Sequence, residues 1–185
     1  GHCGSVIDVI EAENVYDIFG LIDPNLKINT HHYGYDVLGG DDLAEFYIKK
    51  GYKFLVTLGA IGVGSKRQKL FSLYKKLGAN FANVVSPYAY VSKSSKLGIG
   101  TIIMHHSIIG ANSIIGANNI INSKALVEHD CIVGDNVHLS TGSILNGGVS
   151  IGDNSFVGSN ACVIENQVIK SDSFVKAGSI YYEYK

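Results

Sequence analysis

Residues 127–156, written in blocks of six, read VEHDCI VGDNVH LSTGSI LNGGVS IGDNSF. Each block opens on an aliphatic residue: Val127, Val133, Leu139, Leu145 and Ile151. The same step runs back through Ile121, Ile115, Ile109, Ile103 and Leu97 to Val91, and forward through Val157, Val163, Ile169 and Val175 to Tyr181. All sixteen positions are apolar and fifteen are aliphatic, in a chain that is 46% hydrophobic, so the run is not chance. The next residue is often glycine (Gly98, Gly110, Gly116, Gly134, Gly152, Gly158), and the fourth after the aliphatic is small, as at Thr101, Ser107, Ser113, Ala125, Ser143 and Ala161.

A period of six matches neither an α-helix nor a two-sided strand. It describes a short strand, a corner, and the same again. The aliphatic residue points into a narrow core, the small residue turns inward beside the corner, and glycine accepts the dihedrals of the turn. Three blocks close a triangular coil of eighteen residues, and stacked coils place like side chains in columns, as in other solenoids. A strict register from Val91 to Tyr181 argues against an antiparallel sandwich. Tyr181, Tyr182 and Tyr184 are expected to cover the open end, where strand edges would otherwise be bare. Cys131 and Cys162 are read as core residues.

Residues 1–85 follow another pattern and are read as a separate domain, with residues 86–185 forming the solenoid. Gly1-His2-Cys3-Gly4 precedes an apolar-periodic helix start at Ser5. Ile18 to Asp23 resembles a buried strand ending in an acid. Asp41 to Lys50 reads as a helix with Asp41 at its N-cap, Lys53 to Gly59 as a strand, Ser65 to Leu77 as an amphipathic helix ended by Gly78, and Asn80 to Val85 as a last strand. Alternating strands and helices predict an α/β, Rossmann-like unit with a parallel sheet. Ligands on such sheets sit at the carboxyl ends of strands. Gly1–Gly4, Asp23 and Gly59-Ala60-Ile61-Gly62 fall there.

With 185 residues, a net charge of −1 and no run of Lys or Arg, the chain gives no support for a nucleic-acid partner. No apolar stretch reaches the ~18 residues a membrane span needs. Three scattered cysteines form neither a disulfide framework nor a zinc site, and they suit a reducing cytoplasm. No pair of histidines has metal-ligand spacing.

The stretch from Asn122 through Val127-Glu128-His129-Asp130-Cys131, Val137-His138 and Asn146-Gly147-Gly148, behind a domain opening on Gly-His-Cys-Gly, resembles the bacterial sugar acetyltransferases of the sialic-acid O-acetyltransferase and nucleotide-linked 4-amino-sugar N-acetyltransferase type. Cys3 stands where that family's opening motif has a glycine. The resemblance implies a left-handed parallel β-helix, a homotrimer with active sites between neighbouring prisms, and acetyl-CoA as co-substrate. It implies His129 as base with Asp130 orienting it, Gly147 donating to the oxyanion and lying against the coenzyme, His138 contacting acetyl-CoA, and Asn122 near the acceptor amine.

The spacing bears on those roles. His129 follows the inward Val127 by two places, so it projects from a prism face between Glu128 and Asp130. A carboxylate beside an imidazole fixes its tautomer. Gly147 lies eighteen residues on and should stack over His129, either as a donor or simply turning the corner with Gly148. His138, nine residues after His129, belongs to a different corner. His2 and Asp23 are the candidates for holding a nucleotide on the first domain. His31 and His32 read as loop residues, and His105 and His106 as solvent-facing.

The expected function is N-acetylation of a nucleotide-linked amino sugar. Its rivals are O-acetylation of sialic acid or a related sugar, and a non-catalytic trimeric scaffold or sugar-binding protein.

Overall fold

The computed structural model describes residues 1–60 and 66–183. The first region contains α1 (His2–Glu13), β1 (Leu21–Ile22), β2 (His31–His32), β3 (Tyr35–Gly39), α2 (Ala44–Lys49), β4 (Lys53–Phe54), α3 (Lys66–Lys76) and β5 (Asn80–Phe81). From Val84 to Tyr181, seventeen two-residue strands build three parallel sheets of six, five and six strands. These are the faces of a left-handed β-helix.

Pairing is strictly eighteen residues apart: Ile108 with Leu126, Ile120 with His138, Ile144 with Cys162. The second residue of each strand points inward. Ile103, Ile109, Ile121, Val127, Leu139, Leu145, Val157 and Val163 are fully buried in one column-built core. The small corner residues fill the remaining space, with Thr101, Ser107, Ser113, Ala125, Ser143 and Ala161 all inaccessible. The solenoid opens with Val84–Val85, which pairs with Ile102–Ile103, just ahead of the boundary read from sequence. Asn80–Phe81 pairs instead with β4, so the segment from Asn80 to Val85 is divided between two sheets.

The glycines that follow the aliphatic positions do not serve the turn dihedrals. None of Gly98, Gly110, Gly116, Gly134, Gly152 and Gly158 has a positive φ. Their role is close approach. A Cβ on Gly98 would lie 2.4 Å from the Gly116 carbonyl carbon, one coil on. Asparagine is the commonest residue at the left-handed corner positions, at Asn112, Asn118, Asn136, Asn154, Asn160 and Asn166, where its short polar side chain tolerates that conformation; Gly100, Gly142, Gly148 and Gly178 hold others.

Other expectations are corrected. Asp41 begins a 3-10 turn, Asp41–Leu43, and caps nothing; its carboxylate accepts the Tyr74 hydroxyl at 2.8 Å. β3 was not foreseen, and it pairs in parallel with β1 and antiparallel with His31–His32, which is therefore strand. The parallel pairs β1–β3 and β4–β5 belong to separate small sheets. Cys131 is core, but Cys162 is the outward residue of its strand and only half-buried. Tyr181 packs on the last of the core while Tyr182 is exposed, and Tyr184, like Ile61 and Gly62, lies outside the described residues.

One prism face is covered as far as Phe156, Phe174 beyond it being exposed. Its outward column is Val84, Ile102, Ile120, His138, Phe156 and Phe174. Val6, Val9 and Ile10 of α1 pack on Val84, Ile102 and Met104. Ile102 and Ile120 are at most 1% exposed, whereas Ile108 and Ile114 on the other faces are 42% and 45% exposed. The seam is fastened by Arg67 and by His105, whose ring bridges Ser86 (2.6 Å) and Asp8 of α1 (2.9 Å); His105 is thus a structural link, not a solvated residue.

Replacing Gly98 with alanine should therefore force two coil backbones apart. We expect a loss of about 1–3 kcal/mol, seen as a Tm several degrees lower, while Asn160→Gly, which keeps the left-handed corner, should shift Tm by less than half as much.

Candidate active site

The corner after the strand Leu126–Val127 carries His129. Its Nδ1 lies 2.8 Å from Asp130 Oδ2. Asp130 occupies the left-handed corner position (φ 58°), which turns its side chain back toward the preceding ring. Its other oxygen accepts Asn112 Nδ2 at 3.1 Å, from one coil below. The hydrogen bonds from His129 and then from Asn112 hold the Asp130 carboxyl below the usual carboxylate range. An ionised Asp130 accepts the Nδ1 proton and leaves Nε2 with a free lone pair toward solvent.

Gly147 sits over that ring, as the eighteen-residue step requires. A Cβ there would lie 2.7 Å from His129 Cε1 and 2.8 Å from Nε2. The positive φ of this corner belongs to Gly148 (71°), whose N–H donates to the His129 carbonyl at 3.0 Å. Gly147 is thus set apart by the ring beneath it, not by the turn. On the neighbouring edge, the equivalent N–H groups of Ala117 and Asp135 are capped by Asp135 and Asp153 from the next coil. Among the described residues nothing, Glu165 included, caps the Gly147 N–H in this way. The open cleft here, about 490 Å³, is lined by His129, Asp130, Asn146, Gly147, Glu165 and Asn166 among others.

A second group forms in the seam between the first region and the covered face. His138 is 8% exposed and stands edge-on to Phe156. Its Nδ1 faces the Ala60 carbonyl and its Nε2 lies 3.2 Å from Asn122 Nδ2. The amide orientation is fixed because Asn122 Oδ1 accepts the Ser123 N–H at 2.8 Å. Nδ1 therefore carries the proton and Nε2 accepts. Burial, followed by the nearby Arg67 cation, lowers the His138 pKa, against the opposing bond to Ala60.

His2, the first residue of α1, adjoins the same backbone, its Cβ 3.6 Å from where a Gly59 side chain would begin. Among the described residues its buried Nε2 has no hydrogen-bond partner. Burial first, then Arg67, His138 and the N-terminal ammonium, push its pKa down to about 4.

The structure thus brings His2, Asn122 and His138 together, and brings His129, Asp130 and Gly147 together on another corner. Asp23 joins neither group: its Oδ1 closes a turn at the end of β1 by accepting the Asn25 N–H (2.9 Å) and side-chain amide (3.2 Å). Sequence reasoning missed Asn112, although the same step of eighteen from Asp130 points to it. It also missed Arg67, which no motif marks; Ala60 lay in the stretch from Gly59 singled out as a strand end, but its carbonyl contact to His138 was not read from sequence. Among the described residues no cluster of His, Cys, Asp and Glu is arranged to hold a metal ion, and no helix is long and apolar enough to cross a membrane.

Comparison with known proteins gives a consistent result. Residues 1–74 match the PglD N-terminal domain and residues 130–165 the bacterial transferase hexapeptide family of six repeats. No curated protein matches significantly. Perosamine N-acetyltransferase from Caulobacter crescentus, crystallised as a His-to-Asn variant with CoA and GDP-perosamine, is 34% identical; the alignment covers 98% of this chain and 84% of that one, with a TM-score of 0.89. The acetyltransferase domain of PglB from Neisseria gonorrhoeae is 26% identical over 98% of this chain and 87% of that one, with a TM-score of 0.88. The same domain has been solved in complex with acetyl coenzyme A.

The depressed histidines make stability depend on pH. Well above pH 6.5 His2 and His138 are neutral whether the chain is folded or not. As the pH falls from 6.5 toward 4, the unfolded chain takes up protons that the folded chain refuses, and stability is lost. Tm should fall across that window, and the fall should be shallower in His2→Gln when both proteins are followed by thermal melts.

Proposed function

The chain belongs to the bacterial hexapeptide-repeat sugar acetyltransferases, and from that premise we propose that it moves the acetyl group of acetyl-CoA onto the amine of a nucleotide-linked 4-amino sugar. The observation that carries this reading is the Asp130–His129–Gly147 stack: an oriented base with a free backbone donor directly above it. The likeness to perosamine N-acetyltransferase supports the choice of an amine over a hydroxyl acceptor.

The chemistry follows from the geometry. His129 Nε2 takes a proton from the neutral acceptor amine as its nitrogen attacks the thioester carbonyl. The imidazolium so formed is stabilised by Asp130. The Gly147 N–H donates to the developing oxyanion, an interaction worth a few kcal/mol where such donors have been removed. Collapse of the adduct breaks the C–S bond, and the proton held on His129 goes to the departing thiolate. His138 and Asn122, in the seam, bind acetyl-CoA and the acceptor amine; the first domain, with His2 and Asp23, holds the nucleotide.

Within one chain the two groups belong to different corners, so we assign the complete site to the junction of neighbouring prisms in a homotrimer. Exposed aliphatic residues on the uncovered faces, Ile108, Ile114, Ile132 and Val168, supply apolar surface for such contacts. On this reading the enzyme works in the cytoplasm, where acetyl-CoA and nucleotide sugars are made, and three free cysteines support that assignment.

Release of CoA should be assayed with a panel of UDP- and GDP-linked amino sugars, and with sialic acid. Turnover on an amino sugar that disappears in folded His129→Ala is expected. Turnover on sialic acid alone would replace the N-acetyl reading by the O-acetyl one. Gly147→Ala should change Tm little, because the atoms nearest the new methyl belong to the exposed, movable His129 ring, yet lower kcat/KM by roughly 10²-fold.

Co-assembly of His129→Ala with Asn122→Ala chains tests the shared site. Random mixing leaves about one site in four with both groups intact. Recovery of activity is expected, and its absence from a verified mixed assembly would remove the site from the junction.

A further inference from the structure

The side chain of Arg67 is among the most deeply buried in the molecule, at 2% exposure. Among the described residues no carboxylate lies within ion-pair distance of it. It also stands in the first turn of α3, where the helix dipole opposes a cation. Burial pulls its pKa down to about 9. A charge placed at such cost, where an apolar side chain would weld the seam without it, calls for a use of the charge and of its donors.

Among the described residues those donors go to backbone carbonyls, from both sides of the seam. Nη1 donates to Val56 and to Leu58 (3.2 Å), on the segment leaving β4. Nε donates to Asn118 and Nη2 to Gly100, each at 3.4 Å, on the solenoid. Two residues beyond Leu58 is Ala60, whose carbonyl holds His138 Nδ1. The residue between them, Gly59, lies against His2.

We propose that Arg67 is a positioning residue for acyl transfer: its buried guanidinium sets the Val56–Ala60 backbone so that the Ala60 carbonyl locks His138 in the tautomer whose Nε2 accepts the Asn122 amide, fixing both side chains where the coenzyme binds. The inference rests on the assignment of His138 to the acetyl-CoA site. A planar fork spanning four carbonyls is something lysine cannot reproduce. The charged or titratable groups facing His138 are Arg67 from α3 and His2 from α1; Phe156 and Asn122 are its other neighbours. The Arg67 cation disfavours protonation of both histidines, so the ring stays neutral as well as oriented.

The test uses the full chain in its native assembly, with ¹⁵N-labelled histidine, comparing the parent with Arg67→Lys and Arg67→Met. NMR of the His138 ring reads its tautomer and titration; steady-state kinetics read KM for acetyl-CoA and kcat. In the variants His138 should populate both tautomers, and KM for acetyl-CoA should rise roughly tenfold with a smaller change in kcat. A purely structural arginine would lower Tm and leave the tautomer and KM of the folded fraction unchanged; that outcome in Arg67→Lys overturns the proposal. Should Arg67→Met fail to fold, Arg67→Lys decides alone. His138→Asn separates the two claims: an unaltered KM there would remove His138 from the coenzyme site, while the ring spectra of Arg67→Lys still report whether Arg67 sets the tautomer.

Discussion

The parallel backbone ladder between coils fixes residue i beneath residue i+18, and most of the molecule follows from that register. In each strand the ladder satisfies the polar backbone in both directions, so a chain of two-residue strands is stable where an isolated pair of such strands would not be. The register places the inward aliphatics in columns, aligns the left-handed corners so that Asn118, Asn136, Asn154 and Asp172 pass hydrogen bonds from coil to coil, and leaves no room for side chains at Gly98 or Gly116. It also assembles the chemistry. Asn112 reaches Asp130, and Gly147 reaches His129, because each pair is one coil apart.

The second constraint is the docking of the first region onto one face. The outward column of that face differs from the other two less in composition than in what covers it. α1 brings Val6, Val9 and Ile10 to it, Arg67 and His105 pin it by polar contacts, and His138 is buried as a result. A residue that would otherwise face solvent on a prism wall becomes a neutral, oriented imidazole.

Most of the solenoid was legible because its signal is periodic and repeated from Val91 to Tyr181. The same arithmetic located His129, Asp130 and Gly147 on one corner and put His138 elsewhere. The reading of the glycines after the aliphatic positions went astray because sequence shows where a side chain is missing but not whether dihedral or distance demands it; those glycines answer to distance, while asparagine shares the left-handed positions with a different set, Gly100, Gly142, Gly148 and Gly178. The first region was harder. Its strands are two to five residues long, too short for a period to show, so β3 was unseen and His31–His32 passed for loop. Ile102-Ile103 and Ile108-Ile109 look alike in sequence, yet only the first pair is buried on both sides. Nothing local to a strand reveals that a helix from another region lies on it, and so neither the seam nor Arg67 was visible.

The register also bears on heredity. Losing or gaining a single residue inside the solenoid would turn every later side chain off its column, so small frame-preserving changes of length belong at the outward corners. Whole multiples of eighteen residues, by contrast, return the chain to the same phase. Duplicating or excising a complete coil would lengthen or shorten the prism while the corner bearing His129 kept its shape, and descent within such a lineage should be written in units of a turn.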